Sequence, residues 1–373
     1  MLPGEMKARG RKNIVQARSF AELLEHGTPR LVYGVQLAQN TREYGRNSIM
    51  PKAIRLYQTG GPEVLKWEEV PVGEPGEGQV RIRHTAIGVN FIDTYHRSGL
   101  YPLPLPSGLG SEGAGIVEAV GQGVTHVRPG DRVAYAGGPP GSYAEVRLMP
   151  ADRLLKVPAG ISDQQAAAMM LKGMTTQYLI RRTYKVQPGD TVLLHAAAGG
   201  VGLIACQWLK ALNATVIGTV GSDEKAQLAK AHGCDHAILY TKEDFAKRVR
   251  EITGGKGVPV VYDSVGKSTF QGSLDCLRPL GLLVSFGNSS GPVPPFELGV
   301  LAPKGSLYVT RPTLATYTAT RADLEATAQE LFDVVQSGKV KIEIHRAYPL
   351  QDAPQVHRDL ESRQTTGSIV MLP

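Results

Sequence analysis

Two different patterns of apolar and polar residues divide the chain downstream of Met50. From Met50 to about residue 172, the chain consists of short strand-like segments such as 79–83 and 115–120. Turns rich in glycine and proline, including 128–131 and 137–141, separate these segments. Short strands joined by such turns are typical of a partly open β-barrel, which is the architecture that we expect for this region.

Between about residues 173 and 316 the pattern changes to strands that alternate with helices. Residues 190–195 and 214–220 are mostly apolar and predict buried strands, and residues 203–212 predict a helix between them. Strands that alternate with helices are the signature of a parallel sheet covered by helices. The sequence therefore predicts a second domain over residues 174–316.

The remainder of the chain, from Tyr317, contains a helix at 323–336 whose apolar face includes Leu324 and Phe332. It then returns to strand-like segments that end in residues 367–372. With 373 residues the chain is long enough for two domains, because single hydrophobic cores stop growing near ~250–300 residues. The predicted fold class is α/β, with a β-barrel domain and a parallel-sheet domain.

The first 49 residues follow neither pattern. They carry eight Lys or Arg and four Asp or Glu residues, a net charge of +4, and one short helical pattern at 20–24. The four acidic residues and the lack of an apolar run argue against a signal or transit peptide. We therefore expect this segment to be either a disordered interaction tail or a stretch that precedes the native start at Met50.

Charge and cysteine content exclude several classes of protein. The net charge is +7, so only +3 remains for residues 50–373, which argues against nucleic-acid binding by the folded part. The sequence contains no run of about 18 apolar residues, so we predict no membrane span. Cys206, Cys234 and Cys276 form no C-x-x-C motif, which indicates neither a zinc lobe nor a redox pair. We expect a cytoplasmic protein with reduced thiols.

A predicted strand, a glycine-rich turn at 196–202 and a predicted helix follow one another in the order that binds dinucleotide cofactors. Backbone N–H groups at a helix N-terminus can bind a pyrophosphate, and the glycines of the turn allow the backbone to approach it closely. Ala197 stands where the G-x-G-x-x-G motif has its first glycine, so the match to that motif is imperfect. The turn nevertheless favours a Rossmann domain.

The strand at 214–220 indicates which dinucleotide is bound. An NAD-specific domain would carry Asp or Glu near the end of this strand, and the residue there is Val220. Ser222 can donate a hydrogen bond to a 2′-phosphate and Lys225 can supply a positive charge, which favours NADPH. Asp223 is expected to cap the helix that begins at Glu224.

A specific resemblance to a known family is carried by residues 61–65, 90–95, 97–101, 195–207, 261–266, 285–291 and 305–312. On these segments the chain resembles the bacterial NADPH:quinone oxidoreductases, the zinc-free, zeta-crystallin-like branch of the medium-chain dehydrogenases/reductases. The resemblance covers residues 50–373 and none of residues 1–49. It implies a GroES-like barrel formed by 50–173 and 317–373, an inserted Rossmann domain at 174–316, and a homodimer.

Two positions differ from the zinc-dependent members of this superfamily. Asn90 stands in the frame of a zinc-binding cysteine, and Ser111 stands in the frame of a zinc-binding histidine. A catalytic zinc site needs about three nitrogen, sulfur or carboxylate ligands, and neither an amide nor a hydroxyl is a usual one. We therefore expect no metal at this site.

The resemblance also implies which residues surround the cofactor and the substrate. Around the nicotinamide and the substrate they are Asn90, Phe91, Ile92, Asp93, Thr94 and Tyr95, with Tyr178 near the domain hinge. Around the pyrophosphate they are Gly200 and Val201, and around the 2′-phosphate Gly221, Ser222, Lys225 and Tyr240. The adenosine borders Ser264 and Val265, and the nicotinamide ribose and amide border Phe286, Gly287, Asn288, Ser289 and Ser290. The C-terminal side of the site is closed by Pro312, Thr313, Leu314 and Arg363.

The implied reaction is hydride transfer from NADPH to a quinone, for which the protein supplies orientation. A quinone is already a good electrophile and needs no Lewis acid. The proton could come from water, Tyr95 or Tyr101, although a tyrosine in such a segment more often packs and hydrogen-bonds. Two alternatives are a reductase of the C=C bond of enones or alkenals, and an NADPH-binding structural or RNA-binding protein.

Residues 305–311 predict the last strand of the Rossmann sheet, which Pro312 ends. An edge strand leaves unpaired N–H and C=O groups that can pair with another chain. Leu307 and Val309 would share one face of this strand, with Tyr308 on the other face. We expect two copies of the chain to pair through this edge in an isologous homodimer that does not depend on residues 1–49.

Overall fold

A computed structural model describes residues 50–363 and 365–373. Residues 1–49, for which the sequence predicts a tail or a non-native extension, lie outside the described residues. No helix in the part that the structure describes is long and apolar enough to cross a membrane. The three cysteines, Cys206, Cys234 and Cys276, are free and buried.

The predicted β-barrel is confirmed, and its alternating segments pair mainly as antiparallel strands. The larger barrel sheet contains β3 (Gln79–Val89), β5 (Glu112–Val120), β6 (Arg132–Ala136), β7 (Val146–Pro150), β8 (Leu155–Lys156), β15 (Ile344–Pro349) and β16 (Ser368–Leu372). A smaller sheet contains β1 (Lys52–Leu56), β2 (Leu65–Glu69) and β4 (Ser107–Gly108). Val370 of β16 pairs with Gly88 of β3, so the end of the chain completes the barrel.

The second sheet is the predicted Rossmann sheet. Its strands are β9 (Thr191–Leu194), β10 (Thr215–Val220), β11 (His236–Leu239), β12 (Val258–Asp263), β13 (Leu277–Ser285) and β14 (Tyr308–Thr310). Neighbouring strands are parallel, in the order β11-β10-β9-β12-β13-β14. The strand order therefore reverses between β9 and β12, and sheets of this kind bind ligands beyond the carboxyl ends of their strands at such a switch point.

Nine α-helices accompany the two sheets in the described part of the chain. They are α1 (Phe91–Ser98), α2 (Asp163–Tyr178), α3 (Gly200–Ala211), α4 (Asp223–Ala231), α5 (Phe245–Ile252), α6 (Phe270–Cys276), α7 (Leu314–Tyr317), α8 (Arg321–Gln336) and α9 (Ala353–Glu361). Helix α2 links the barrel to the Rossmann domain, because it packs against β3 and β5 of the barrel and against α3, which follows β9. It also packs against α8. The predicted domain boundary at residue 173 lies inside this helix.

Two helices begin earlier than the sequence predicts. Helix α3 begins at Gly200 rather than at residue 203, because Gly199 is its N-cap and the glycines that follow adopt helical backbone angles. Helix α4 begins at Asp223, and the prediction that Asp223 caps it is wrong. The N-cap is Ser222, whose hydroxyl oxygen accepts from the backbone N–H of Lys225 at 3.3 Å. This serine already satisfies the N–H group that an aspartate cap would take.

Strand β14 is the edge of the Rossmann sheet, and Leu307 and Val309 share one face with Tyr308 on the other, as predicted. Leu307 is only 6% exposed and belongs to the core of its own sheet, whereas Tyr308 is 60% exposed. The expectation that Leu307 contributes to a contact between two copies is therefore wrong, because its apolar surface is already buried against the same chain. Any apolar contact at this edge would involve Tyr308.

Candidate active site

A cavity of about 750 Å³ lies where the carboxyl ends of the Rossmann strands meet the barrel. The residues that directly follow β9, β10, β12, β13 and β14 all line it, and the start of α1 lines it from the barrel. This is the position at which a doubly wound sheet binds ligands, because the loops diverge where the strand order reverses. The fold therefore places the predicted cofactor residues around one cavity.

The N-terminus of α3 forms an open backbone cradle in this cavity. Its N-cap, Gly199, provides no side-chain cap, and the first turn of the helix contains no acidic residue. A Cβ atom on Gly202 would overlap the backbone of Ala196 and Ala197, and a Cβ atom on Gly200 would lie 2.6 Å from the Lys172 side chain. Uncapped N–H groups in a space that side chains cannot occupy fit an anionic group such as a pyrophosphate.

Two cationic residues line the cavity beside the end of β10. The Lys225 ammonium group donates to the backbone carbonyl of Arg363 at 2.5 Å. Partial burial, and then the nearby charge of Arg363, lowers the pKa of Lys225. The partner of the Lys225 ammonium group among the described residues is thus a neutral carbonyl and not a carboxylate. The uncompensated positive charge fits a phosphate group at this end of the cavity.

Asn90, the N-cap of α1, lines the cavity from the barrel side. Its Nδ2 donates to Oε2 of Glu112 at 2.8 Å, and Glu112 is fully buried. The same carboxylate accepts from the backbone N–H of Leu171 at 2.7 Å and from Nζ of Lys172 at 3.3 Å. Because the amide nitrogen of Asn90 donates to this carboxylate, the orientation of the amide in the cavity wall is fixed.

Asp93 lies beneath this wall and is fully buried. Its Oδ2 accepts from the backbone N–H of Asn90 and from the hydroxyl of Tyr143, both at 2.9 Å. The Ser111 hydroxyl donates to Oδ1 at 3.5 Å. Burial raises the pKa of Asp93 to about 7, and the hydrogen bonds from Asn90 and Tyr143 oppose that rise. Asp93 and Ser111 therefore support the backbone that presents Asn90.

Asn90 and Ser111 thus both donate hydrogen bonds to buried carboxylate groups, to Glu112 and Asp93 respectively. Within residues 50–363 and 365–373, no group of three or more His, Cys, Asp or Glu side chains is arranged to hold a metal ion. The donor set around Asn90 consists of an amide, a hydroxyl, a lysine and two carboxylates that already accept hydrogen bonds. This chemistry fits a hydrogen-bonded wall better than a zinc site.

A cluster of hydrogen bonds crosses the cavity from the barrel to the Rossmann sheet. The Tyr95 hydroxyl oxygen accepts from the backbone N–H of Asn288 at 3.0 Å. The amide oxygen of Asn288 accepts from the Tyr101 hydroxyl and from Nη2 of Arg311, both at 3.1 Å. Nη1 of Arg311 donates to the carbonyl of Gly287 at 2.9 Å. Burial raises the pKa of Tyr95 to about 12, so Tyr95 remains a protonated hydroxyl at neutral pH.

The structure brings most of the predicted site residues to this one cavity. Those that line it are Asn90, Phe91, Ile92, Tyr95, Tyr101, Tyr178, Gly200, Val201, Gly221, Lys225, Tyr240, Ser264, Val265, Phe286, Gly287, Ser289, Ser290, Pro312, Thr313, Leu314 and Arg363. Four others, Asp93, Thr94, Ser222 and Asn288, are not part of its lining. Thr94 donates to the carbonyl of Phe91 at 2.7 Å and Ser222 caps α4, so these two side chains stabilise elements that border the cavity. Asn288 instead takes part in the hydrogen bonds between Tyr95, Tyr101 and Arg311.

Several residues that line the cavity were not predicted from the sequence, among them Lys172, His195 and Arg311. Lys172 is in the middle of a helix, where a lysine normally points to solvent, and no local motif marks it. Arg311 directly follows β14, so its position at the carboxyl end of a strand was a signal that could have identified it. His195 follows β9 in the same way.

His195 is held in a buried polar network beneath the glycine-rich turn. Its Nδ1 lies 2.9 Å from Oγ1 of Thr219, and its Nε2 lies 3.0 Å from Oγ of Ser273. Ser273 in turn donates to Asp263 at 3.0 Å. Burial lowers the pKa of His195, so the ring is neutral and joins the ends of β9, β10 and β12 through hydrogen bonds.

Comparisons with known proteins agree with this architecture. The family described as alcohol dehydrogenase GroES-like domain matches residues 76–159, and that described as zinc-binding dehydrogenase matches residues 200–333. The quinone oxidoreductase of Pseudomonas aeruginosa is 58% identical over 325 residues, which span 87% of this chain and all of that protein. The 2-haloacrylate reductase of a Burkholderia species is 50% identical, over 87% of this chain and 99% of that protein.

A solved structure matches equally well. The crystal structure of Escherichia coli quinone oxidoreductase complexed with NADPH is 53% identical and superposes with a TM-score of 0.85. The match covers 86% of this chain and all of that chain.

A GroES-like barrel joined to a Rossmann sheet, with a cavity between them, defines a medium-chain dehydrogenase/reductase, so the protein is an oxidoreductase. Within that superfamily the zinc frame is replaced by Asn90 and Ser111. The chain belongs to the quinone oxidoreductase family. The predicted recognition and fold class are thereby confirmed.

Proposed function

We propose that this protein reduces quinones with NADPH as the electron donor and without a bound metal, and that it acts in the cytoplasm. The observation that carries the proposal is the single cavity that joins the α3 cradle, the cations Lys225 and Arg363, and the barrel residue Asn90. The relatives named quinone oxidoreductases, one of which has been solved with NADPH, support the same assignment.

Each part of the cavity has a distinct task in this proposal. The N–H groups at the start of α3 would hold the pyrophosphate, and Lys225 with Arg363 would hold the 2′-phosphate. Asn90 lines the cavity from the barrel and Phe286 lines it from the Rossmann sheet, where the nicotinamide and the acceptor would meet. NADPH supplies a hydride ion when it is bound, and the protein orients the acceptor and excludes water from it.

The proposal is tested by NADPH oxidation with the purified full chain and a panel of quinones, enones and alkenals. We expect the quinones to be reduced fastest, NADPH to be preferred over NADH, and the rates to be unchanged after dialysis against EDTA. Loss of activity together with stoichiometric zinc would contradict the metal-free assignment. Failure of every quinone to oxidise NADPH would contradict the proposed acceptor.

A second candidate function is reduction of the C=C bond of a small activated alkene. The 2-haloacrylate reductase that is 50% identical to this chain favours this alternative. Both reactions deliver a hydride ion to an acceptor conjugated to a carbonyl group, so the same cavity serves either one. The acceptor panel separates them, because an alkene reductase would reduce enones or haloacrylates faster than simple quinones.

The preference for NADPH should depend on Lys225. Replacing Lys225 with alanine removes a charge-assisted contact worth roughly 1.5–3 kcal/mol, which corresponds to about a ten- to hundredfold loss of NADPH affinity. NADH affinity should change little, because NADH lacks the 2′-phosphate. Lys230→Ala, an exposed lysine on the same helix, is the matched control. Fluorescence titration measures both affinities, and equal weakening for the two cofactors would show that Lys225 does not bind the phosphate.

We further propose that the protein is a homodimer joined through the edge of its Rossmann sheet. Three large apolar side chains on β13, on β14 and on the segment between them are exposed, namely Leu280 (65%), Tyr308 (60%) and Leu298 (75%). Pairing of β14 with its two-fold copy would cover these side chains and satisfy the edge N–H and C=O groups. Sedimentation velocity at micromolar concentration tests the proposal, and a monomer would overturn it.

A further inference from the structure

Lys172 is a buried cation that no part of the proposed function uses. It is only 6% exposed although it lines the cavity, and it lies in the middle of α2. Among the described residues, Glu112 is the hydrogen-bond partner of its ammonium group, at 3.3 Å. An ammonium group carries three N–H donors, so this hydrogen bond leaves two donors on a side chain that lines the cavity.

The chain makes room for this side chain at a specific position. A Cβ atom on Gly200 would lie 2.6 Å from Cδ and 2.8 Å from Cε of Lys172. The stem of Lys172 therefore passes under the first turn of α3 and carries its charge beyond it. A buried lysine loses hydration and rotamer freedom, which is costly unless its charge is paired.

The end of that stem places the ammonium group beside Asn90. Nζ of Lys172 and Nδ2 of Asn90 donate to the same oxygen of Glu112, at 3.3 and 2.8 Å. The positive charge is thus located at the barrel wall, where Asn90 and Tyr95 line the cavity, and not at the cationic end formed by Lys225 and Arg363. A fixed cation at the wall next to the acceptor would stabilise negative charge that appears on the acceptor during reduction.

We propose that the Lys172 ammonium group is the electrophile of the active site and that it donates a hydrogen bond to the carbonyl oxygen of the acceptor. This inference rests on the proposed function. The acceptor gains a hydride ion from the reduced nicotinamide, which becomes oxidised, and negative charge collects on the acceptor oxygen. A solvent proton then completes the reduced product, and Lys172 keeps its own proton. Glu112 is a positioning residue that holds Lys172 and Asn90 in register.

The first experiment compares Lys172→Met with Lys210→Met, an exposed lysine that pairs with Asp235 at the other end of α3. K172M should lower kcat by about a hundredfold, the usual effect of removing a preorganised donor, while the NADPH dissociation constant changes less than threefold. The loss should be larger for enones than for quinones, because the weaker electrophile depends more on stabilisation of its oxygen. K210M should match the wild type.

Because K172M leaves the buried Glu112 carboxylate unpaired, the double variant K172M/E112Q provides a second test. It removes both charges with little change in shape, so it should melt close to the wild-type temperature and still show the loss of kcat. A kcat within threefold of the wild type in this variant would overturn the proposal. So would a tenfold weaker NADPH affinity with an unchanged kcat, which would place Lys172 at the pyrophosphate instead.

A binding measurement keeps this inference separate from the proposed function. 4-Nitrophenol resembles a reduced quinone and absorbs visible light as the phenolate. In the complex with NADP⁺, the wild type and K210M should bind it as phenolate, and K172M/E112Q should not. Retention of the phenolate signal in the double variant would overturn the role of Lys172. Failure of the wild type to reduce any quinone would overturn the proposed function alone, because this titration requires no turnover.

Discussion

Gly202→Ala should lower NADPH affinity by about a hundredfold or more, which corresponds to at least about 2.7 kcal/mol of binding free energy. A Cβ atom at this position would overlap the carbonyl groups of Ala196 and Ala197, which belong to the backbone and cannot rotate away as a side chain can. The turn must move to accommodate it, and the cradle at the start of α3 moves with the turn. Fluorescence titration with NADPH measures the effect.

The matched control for this variant is Gly73→Ala. A Cβ atom on Gly73 would have no neighbour within 4 Å, so this variant should bind NADPH as the wild type does. Circular dichroism of both variants establishes whether the fold is retained. Normal NADPH affinity in a folded G202A variant would mean that the turn at 196–202 does not form the pyrophosphate site.

Asp93→Asn should change how stability depends on pH. Burial raises the pKa of Asp93 to about 7 in the folded protein, well above its ordinary value of 3.8. Between these two values the unfolded chain has lost its proton while the folded chain keeps it, so wild-type stability falls as pH rises from about 4 to 7 and is constant above that range. Each pKa unit corresponds to about 1.4 kcal/mol, so the wild type loses about 4 kcal/mol of unfolding free energy in total over this pH range.

Asparagine cannot titrate, and its side chain suits the same partners. Its oxygen can accept from the Asn90 backbone N–H and from Tyr143, and its NH₂ group can donate to Ser111. We therefore expect D93N to gain stability relative to the wild type between pH 4.5 and 7.5, as measured by urea unfolding. The buried residues His84 and His357, whose pKa values burial lowers to about 3, contribute equally to both proteins. A stability difference that is independent of pH would contradict this prediction.

The two predictions depend on groups that the sequence identifies for different reasons. The turn at 196–202 was identified because its glycines lie between a strand and a helix, which is a purely local pattern. Asp93 was identified through the resemblance, and its expected place was the cavity wall. The structure places Asp93 behind that wall instead, because its carboxyl group takes the backbone N–H of Asn90 at the start of α1.

The elements of the fold follow from the sequence because their causes are local. The strand of 190–195, the helix after it and the edge position of 305–311 depend on periodicity, glycine content and proline position within a few residues. The errors at helix starts have the same origin. Gly199 and Ser222 compete with their neighbours for the N-cap position, and patterns of apolar residues do not resolve such a competition.

The sequence by itself therefore determines the two sheets, the glycine-rich turn, the absence of an acid at Val220 and the loss of the usual zinc ligands at Asn90 and Ser111. Only the tertiary structure decides the polar wall of the cavity. Lys172 meets Glu112 across 60 residues, Tyr95 meets Asn288 across 193, and Arg311 meets Tyr101 across 210. These contacts join residues that lie far apart in the chain, so no local pattern of residues encodes them.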